Sequence, residues 1–457
     1  MMTAFHEFDP DQFAALARGD GGPAAIDALR TAQLSRHLLL IGHLLRNWPG
    51  SEAERDAVAD TLERARRAAP DRFAQVLGAP LVGSWTGITV RATERGVAAA
   101  SDFGQLCGIA VVAAAAAGVP ADLPVPVRDG VLSVPGVGAL TVGDAVEARL
   151  VAAGGRLSVA VGGQVVPLPA ESPSAGRSSD GSLPGGSGSP VPAQGGTGEM
   201  APGWQPVHRL TAPGASGVAL DDVDPYRHGH HAPPANRLDD AEVAHWQTVF
   251  AQAWGMLQRR MPGRAAELAA GLQVLVPLAQ TDPHSARSAT IKYAFGAFGL
   301  TRPSSAADLV VTMVHEFQHS KLSGMLDLTP MSDPADTRRF YAPWRTDPRP
   351  LAGLLQGVYA FVGVADSWRA LRDEDGLADL ASARFAEARL QVERGLGAVE
   401  ASGALTDAGA RLVAGLRERT DELLAEPLDA AVVAAAEEAL SDSHRQWLER
   451  NKQLVAG

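Results

Sequence analysis

Two histidines, His315 and His319, flank Glu316 in the run Val314-His315-Glu316-Phe317-Gln318-His319. Residues four apart on an α-helix project only about 40° out of line, so both imidazoles share one face. Imidazoles so placed can grip one metal ion, and a glutamate between them can act on a metal-bound water. His315 and His319 are therefore candidate metal ligands and Glu316 the candidate catalytic group.

These residues need a helix, and the spacing predicts one over 306–324. Ser305 and Asp308 stand at capping-box spacing. Leu309, Val310, Val311, Met313 and Val314 make the helix apolar all round, so it enters a core. Burying this motif without a metal would leave polar groups unpaired, which is costly.

A third ligand decides the chemistry. The metzincin extension needs Gly at 322 and His at 325, where the chain has Leu322 and Met325. The gluzincin pattern needs a later Glu, and none occurs between Glu316 and Glu374. Asp366 is one candidate; His444, the only histidine after His319, is another. Zinc peptidases commonly use two His and one carboxylate, whereas non-haem iron oxygenases keep open positions beside a facial ligand set. With the usual peptidase ligand missing, proteolysis loses ground.

Around the motif, the expected fold class is mainly α with a small β component (α+β), the motif lying on a buried helix. Helices are expected over 24–48, 51–68, 239–261, 306–324, 351–372, 376–396, 407–424 and 430–453. Short apolar runs between Gly-Gly pairs predict β-hairpins over 131–167, and 204–220 should hold a strand. Residues 168–203 are rich in Ser, Gly and Pro without periodicity, a composition that cannot offset backbone entropy. Three regions result: 1–167, helical with a small β part; 168–203, a flexible linker; and 204–457, the metal-binding region.

The chain has 457 residues, 40 Lys and Arg, 52 Asp and Glu, and a net charge of −12, against the basic stripe a nucleic-acid binder needs. One cysteine, Cys107, excludes a disulfide framework and reads as an inert buried thiol. Glu7, Asp9 and Asp11 stand where a signal peptide would carry basic residues. The apolar run 106–119 falls short of the roughly 20 residues of a membrane span and is expected as a buried helix. A cytoplasmic protein without membrane or nucleic-acid partners is the expectation. His228, His230 and His231 read as an exposed polar loop, and His37 and His43 as core or interface histidines.

Several separated motifs, in order, carry a resemblance. Residues 304–328, with VHEFQHSKLSGMLDL at their heart, are similar to the actinobacterial HEXXH-motif peptide-modification proteins. So are Phe340-Tyr341-Ala342-Pro343-Trp344-Arg345, Leu354-Leu355-Gln356-Gly357-Val358-Tyr359, Asp221-Asp222-Val223-Asp224-Pro225-Tyr226-Arg227 and His444-Arg445-Gln446-Trp447. The likeness covers 204–457 well and the N-terminal part loosely.

The resemblance implies iron(II)- and 2-oxoglutarate-dependent β-hydroxylation of a side chain in a ribosomally made precursor peptide. A radical SAM maturase of the same pathway is a possible partner. It implies that His315, His319 and His444 bind iron; at Phe361, where relatives often carry His, this chain departs from the pattern. The far carboxylate of 2-oxoglutarate suits a bidentate guanidinium, for which Arg345 and Arg445 are candidates. Tyr341 and Gln356, polar in apolar company, are expected to line the substrate pocket. In a hydroxylase Glu316 has no water to activate and would instead fix a ligand histidine or touch substrate. Two other readings stay open: a zinc metallopeptidase trimming a leader peptide with Glu316 as base, and a non-catalytic peptide-binding partner.

Overall fold

The computed structural model describes residues 8–169, 201–227, 233–282 and 286–451. Most of the expected linker, residues 170–200, and His228, His230 and His231 lie outside them. The chain divides into two compact units, one of residues 1–38, 208–222 and 226–457, the other of 39–207 with 223–225. Helix α1 (Pro10–Ala17) and helix α2 (Gly22–Arg46) open the chain, and the division falls within α2. The turn between them passes through Gly19 and Gly22 at φ 83° and 67°, a backbone region that glycine enters without a Cβ penalty.

The smaller unit holds α3 (Glu52–Ala68), α4 (Pro70–Leu77), α5 (Pro80–Glu94) and α6 (Ala100–Ala116). Ser51 and Glu54 form the capping box that opens α3, with Glu54 N donating to Ser51 Oγ and Ser51 N to Glu54 Oε2. Helix α6 is the buried apolar helix expected from the sequence; Leu106, Ile109, Ala110 and Val111 have almost no exposure. Among the described residues no single helix is long and apolar enough to cross a membrane; α4 and α5 pass that test only together, across a 59° bend. Burial pushes the Cys107 thiol up to about 12, so it stays protonated and unreactive.

Among the described residues eight strands follow: β1 (Ala121–Val125), β2 (Val127–Arg128), β3 (Val131–Val134), β4 (Gly138–Thr141), β5 (Ala148–Ala153), β6 (Arg156–Val161), β7 (Gln164–Pro167) and β8 (Trp204–Pro206). They form two antiparallel sheets, β1-β5-β6-β7 and β2-β3-β4-β8. The expected hairpins are thus present, and β8 pairs with β4 and belongs to this unit.

The larger unit resumes after residue 207 with β9 (His208–Leu210) and β10 (Val218–Leu220), then α7 (Asp240–Arg260) and α8 (Pro262–Gly271). Strands β11 (Val274–Pro277), β12 (Ser288–Thr290) and β13 (Ala297–Leu300) complete a five-stranded sheet in the order β12-β13-β11-β10-β9. Its centre, β10-β11-β13, is parallel, while β9 and β12 run antiparallel at the edges. The motif helix α9 (Ala306–Leu326) follows, then the short pair β14 (Arg339–Phe340) and β15 (Arg349–Pro350). Helices α10 (Leu351–Leu371), α11 (Ala378–Glu400), α12 (Asp407–Ala425) and α13 (Ala430–Arg450) end the chain. Helices dominate overall, and the fold is mixed α and β.

Residues 8–38 belong to the unit that carries the motif. Lys321 Nζ donates to the carbonyls of Gly19 and Asp20 at 2.6 and 3.0 Å, and to Glu267 Oε2 at 2.8 Å. Arg264 also donates to Gly19 O, and Tyr359 Oη donates to Leu16 O at 2.7 Å. Periodicity marks which face of a helix is buried but not which partner covers it.

Candidate metal centre and its surroundings

Helix α9 begins as expected, with the Ser305 hydroxyl accepting from Asp308 N at 3.1 Å. Its position packs it against α10, α7 and β12. Glu316 is buried on this helix, whereas His315 and His319 are half-buried with their ring centroids 4.8 Å apart. The sequence-predicted pair is therefore brought together on one face.

Each motif residue has a fixed environment. Gln356 on α10 donates through Nε2 to Ser323 Oγ and presents Oε1 to His319 Nδ1 at 3.0 Å. An oxygen facing Nδ1 requires that nitrogen to carry the proton, leaving the Nε2 lone pair for a metal. Burial, then the neighbouring His319, pushes the His315 imidazole down to about 4, so it is neutral at pH 7, as a metal ligand must be. Glu316 accepts hydroxyl hydrogens at both carboxylate oxygens, from Ser288 at Oε1 and Thr290 at Oε2, each 2.6 Å long. Its Oε1 also lies 3.8 Å from His315 Nε2.

Beyond His315 the wall is aromatic. The Phe361 ring meets the His315 ring edge-on at 5.6 Å, and Trp344 stacks on Phe361 at 4.5 Å. A Cβ at Gly357 would fall 2.2 Å from the Trp344 indole, and one at Gly395 3.0 Å away, so these two glycines make its berth. Position 361, where the resemblance implies a histidine, thus does face His315, but with a ring that cannot ligate.

The other expected ligands stand elsewhere. His444 on α13 stacks on Tyr341, with centroids 4.5 Å apart, and both pack near Trp447. Asp366 is buried among Arg264, Arg369 and Arg419. Burial would raise its pKa, but Arg264, then Arg419 and Arg369, hold it below the usual carboxylate range. Among the described residues no group of three or more His, Cys, Asp or Glu side chains is placed to hold a metal ion. The two imidazoles fit the nitrogen half of such a site, and the structure joins neither His444 nor Asp366 to them.

The remaining candidates are also located. Arg345 is half-exposed and pairs with Asp347 at 2.7 Å; Arg445 is three-quarters exposed and pairs with Asp442. Arg345, Trp344, Asp347, Glu387, Gln391 and Ser443 line a cleft of about 490 Å³. Tyr341 is half-buried, and its hydroxyl has no hydrogen-bond partner among the described residues. Gln356 lies 3.0 Å through Oε1 from His319 Nδ1. Sequence reasoning missed Ser288 and Thr290, since a Ser-Ala-Thr stretch carries no signal for a carboxylate partner 26 to 28 residues away.

Compared with models of known protein families and with curated proteins, the chain matches none.

Proposed function

We propose that the chain is a metal-dependent peptide-modifying enzyme, most fully an iron(II)- and 2-oxoglutarate-dependent β-hydroxylase of a ribosomally made peptide. The observation that carries the metal is the His315–His319 pair, with His319 Nδ1 fixed by Gln356. The co-substrate and the peptide come from the resemblance of the motifs.

His315 and His319 would hold the metal. When bound, iron(II) with 2-oxoglutarate and dioxygen supplies the oxidation that places one oxygen atom on a C–H carbon and releases succinate and carbon dioxide. The chain's own residues set the stage. Gln356 orients one imidazole, and Phe361 with Trp344 shields the other from water on one side. Ser288 and Thr290 anchor Glu316 through both carboxylate oxygens. An anchored glutamate suits a group that positions its neighbours better than a base that must turn to a metal-bound water, which supports hydroxylation over peptide cleavage. The arginines fit a 2-oxoglutarate carboxylate less well, being exposed and already paired, so no step runs through them.

The test loads the full chain with iron(II) and adds 2-oxoglutarate and the cognate precursor peptide. A peptide heavier by one oxygen atom, with matching succinate, is expected. Peptide fragments that vanish in Glu316→Gln would replace this reading with the zinc peptidase. A chain that retains no metal, and binds peptide equally well as His315→Ala, would leave only a binding protein.

A further inference from the structure

Strand β12 does two things at once. Its Ser288 and Thr290 side chains reach Glu316, which pins the strand to the helix carrying the histidine pair. It is also the outermost strand of its sheet, with β13 on one side and no described strand on the other. Ser288 is exposed, and Ala289 and Thr290 are half-buried.

The register shows where its backbone groups point. Thr301 N donates to Arg287 O at 2.9 Å. Hydrogen-bonded pairs alternate along an antiparallel ladder, so Ala289 and Gly299 form the next one. Ala289 therefore spends its N–H and C=O on β13, while those of Ser288 and Thr290 face outward. The two residues that hold Glu316 with their hydroxyls are thus the two that offer backbone donors and acceptors at the open edge. A row of this kind, repeating every second residue, is matched by an extended polypeptide backbone and by little else.

We infer that the outer edge of β12 is the docking strand for the peptide substrate, which adds to the sheet through Ser288 and Thr290. This rests on the peptide-modifying reading above and specifies how the peptide is held. Residues directly opposite one another in neighbouring strands share a face of the sheet. The modified residue is then one lying opposite Ser288 or Thr290, because those side chains face the motif helix; residues between point away. Backbone pairing holds the peptide whatever its sequence, and selection falls to the alternate side chains.

The test uses a short linear peptide selected from a random-sequence phage library on the full chain, then synthesised with single N-methyl groups at successive positions. N-methylation removes a backbone donor and leaves the side chain in place. Binding is expected to fall about tenfold at every second residue, roughly 1.4 kcal/mol each, and to change less than about twofold between. Amide exchange at Ser288 and Thr290 should slow on binding, while that at Ala289, already paired, should change little. Uniform losses along the peptide, protection confined to the Trp344–Arg345 cleft, or a library that yields no binder would overturn the proposal. Iron content and oxygen transfer measured on the same preparation separate the two readings. Oxygen transfer without protection at β12 sinks the docking strand alone; alternate-residue pairing on β12 by a chain that holds no metal sinks the enzyme reading alone.

Discussion

Gln356 Oε1 lies 3.0 Å from His319 Nδ1, so a residue of α10 sets the tautomer of a histidine on α9. Replacing it with leucine keeps the volume and removes the acceptor. Loss of such a ligand-orienting bond lowers metal affinity by about 10–100-fold. Gln356→Leu should show that loss in a chelator competition, with an unchanged circular dichroism spectrum, and Gln356→Glu should recover most of it. Equal affinity in all three would remove Gln356 from the centre.

The Phe361 ring lies edge-on beside His315. Phe361→His should turn a two-nitrogen grip into a three-nitrogen one and tighten zinc or iron(II) binding by at least about tenfold, the ligand set of closed and catalytic sites alike. Equilibrium dialysis against a metal buffer reads this directly. If affinity is unchanged, the side chain at 361 does not look onto the metal.

Acid should unfold the larger unit early. Burial would raise the Glu267 carboxyl, but Lys321, then Arg264, hold it below its ordinary value, and Asp366 is lowered in the same way by its arginines. A carboxyl lowered in the folded chain contributes stability above its unfolded value, about 4, and loses it as pH falls through the folded value. Thermal midpoints should therefore decline gently below about pH 6.5, where His315 stays neutral only in the folded chain, and drop steeply below about pH 4. Asp366→Asn should flatten the drop while lowering the neutral plateau. A drop of equal steepness in that variant would place the acid-sensitive groups elsewhere.

Lys321 is fully buried two residues past His319, and it clasps the α1–α2 turn. Breaking a buried ion pair by removing one partner costs about 3–5 kcal/mol. Lys321→Met should lose stability on that scale in urea titrations. A chain lacking residues 1–38 should fare worse, because Lys321 then loses two carbonyl acceptors and Tyr359 its own. A soluble, cooperatively folding fragment of 204–457 would show that the first helices are dispensable.

The sequence disclosed some of this arrangement and concealed the rest for definite reasons. Long amphipathic helices such as α7 and α12, and the Ser51 cap, follow from local chemistry, and their positions emerge within a few residues. The central strands β11 and β13 did not emerge. Val274-Leu275-Val276-Pro277 and Ala297-Phe298-Gly299-Leu300 are buried at every position, so they lack the alternation that marks a half-buried strand. At the site, His315 and His319 were legible because four-residue spacing is a helix property. The hydroxyls on Glu316 and the amide on His319 come from β12 and α10, and only the tertiary fold sets such partners. His444 lay beyond the reach of local rules in the same way: its place in the last helix did not bring it to the pair.

The clasp between Lys321 and the Gly19 carbonyl joins positions 302 residues apart. A ribosome adds about 5–20 residues per second, so roughly 15–60 s separate the synthesis of the two partners. The first helices emerge long before the helices that will cover them exist. Closure of the clasp is therefore a late step of biogenesis, and chaperones meet N-terminal helices whose apolar residues wait through most of translation.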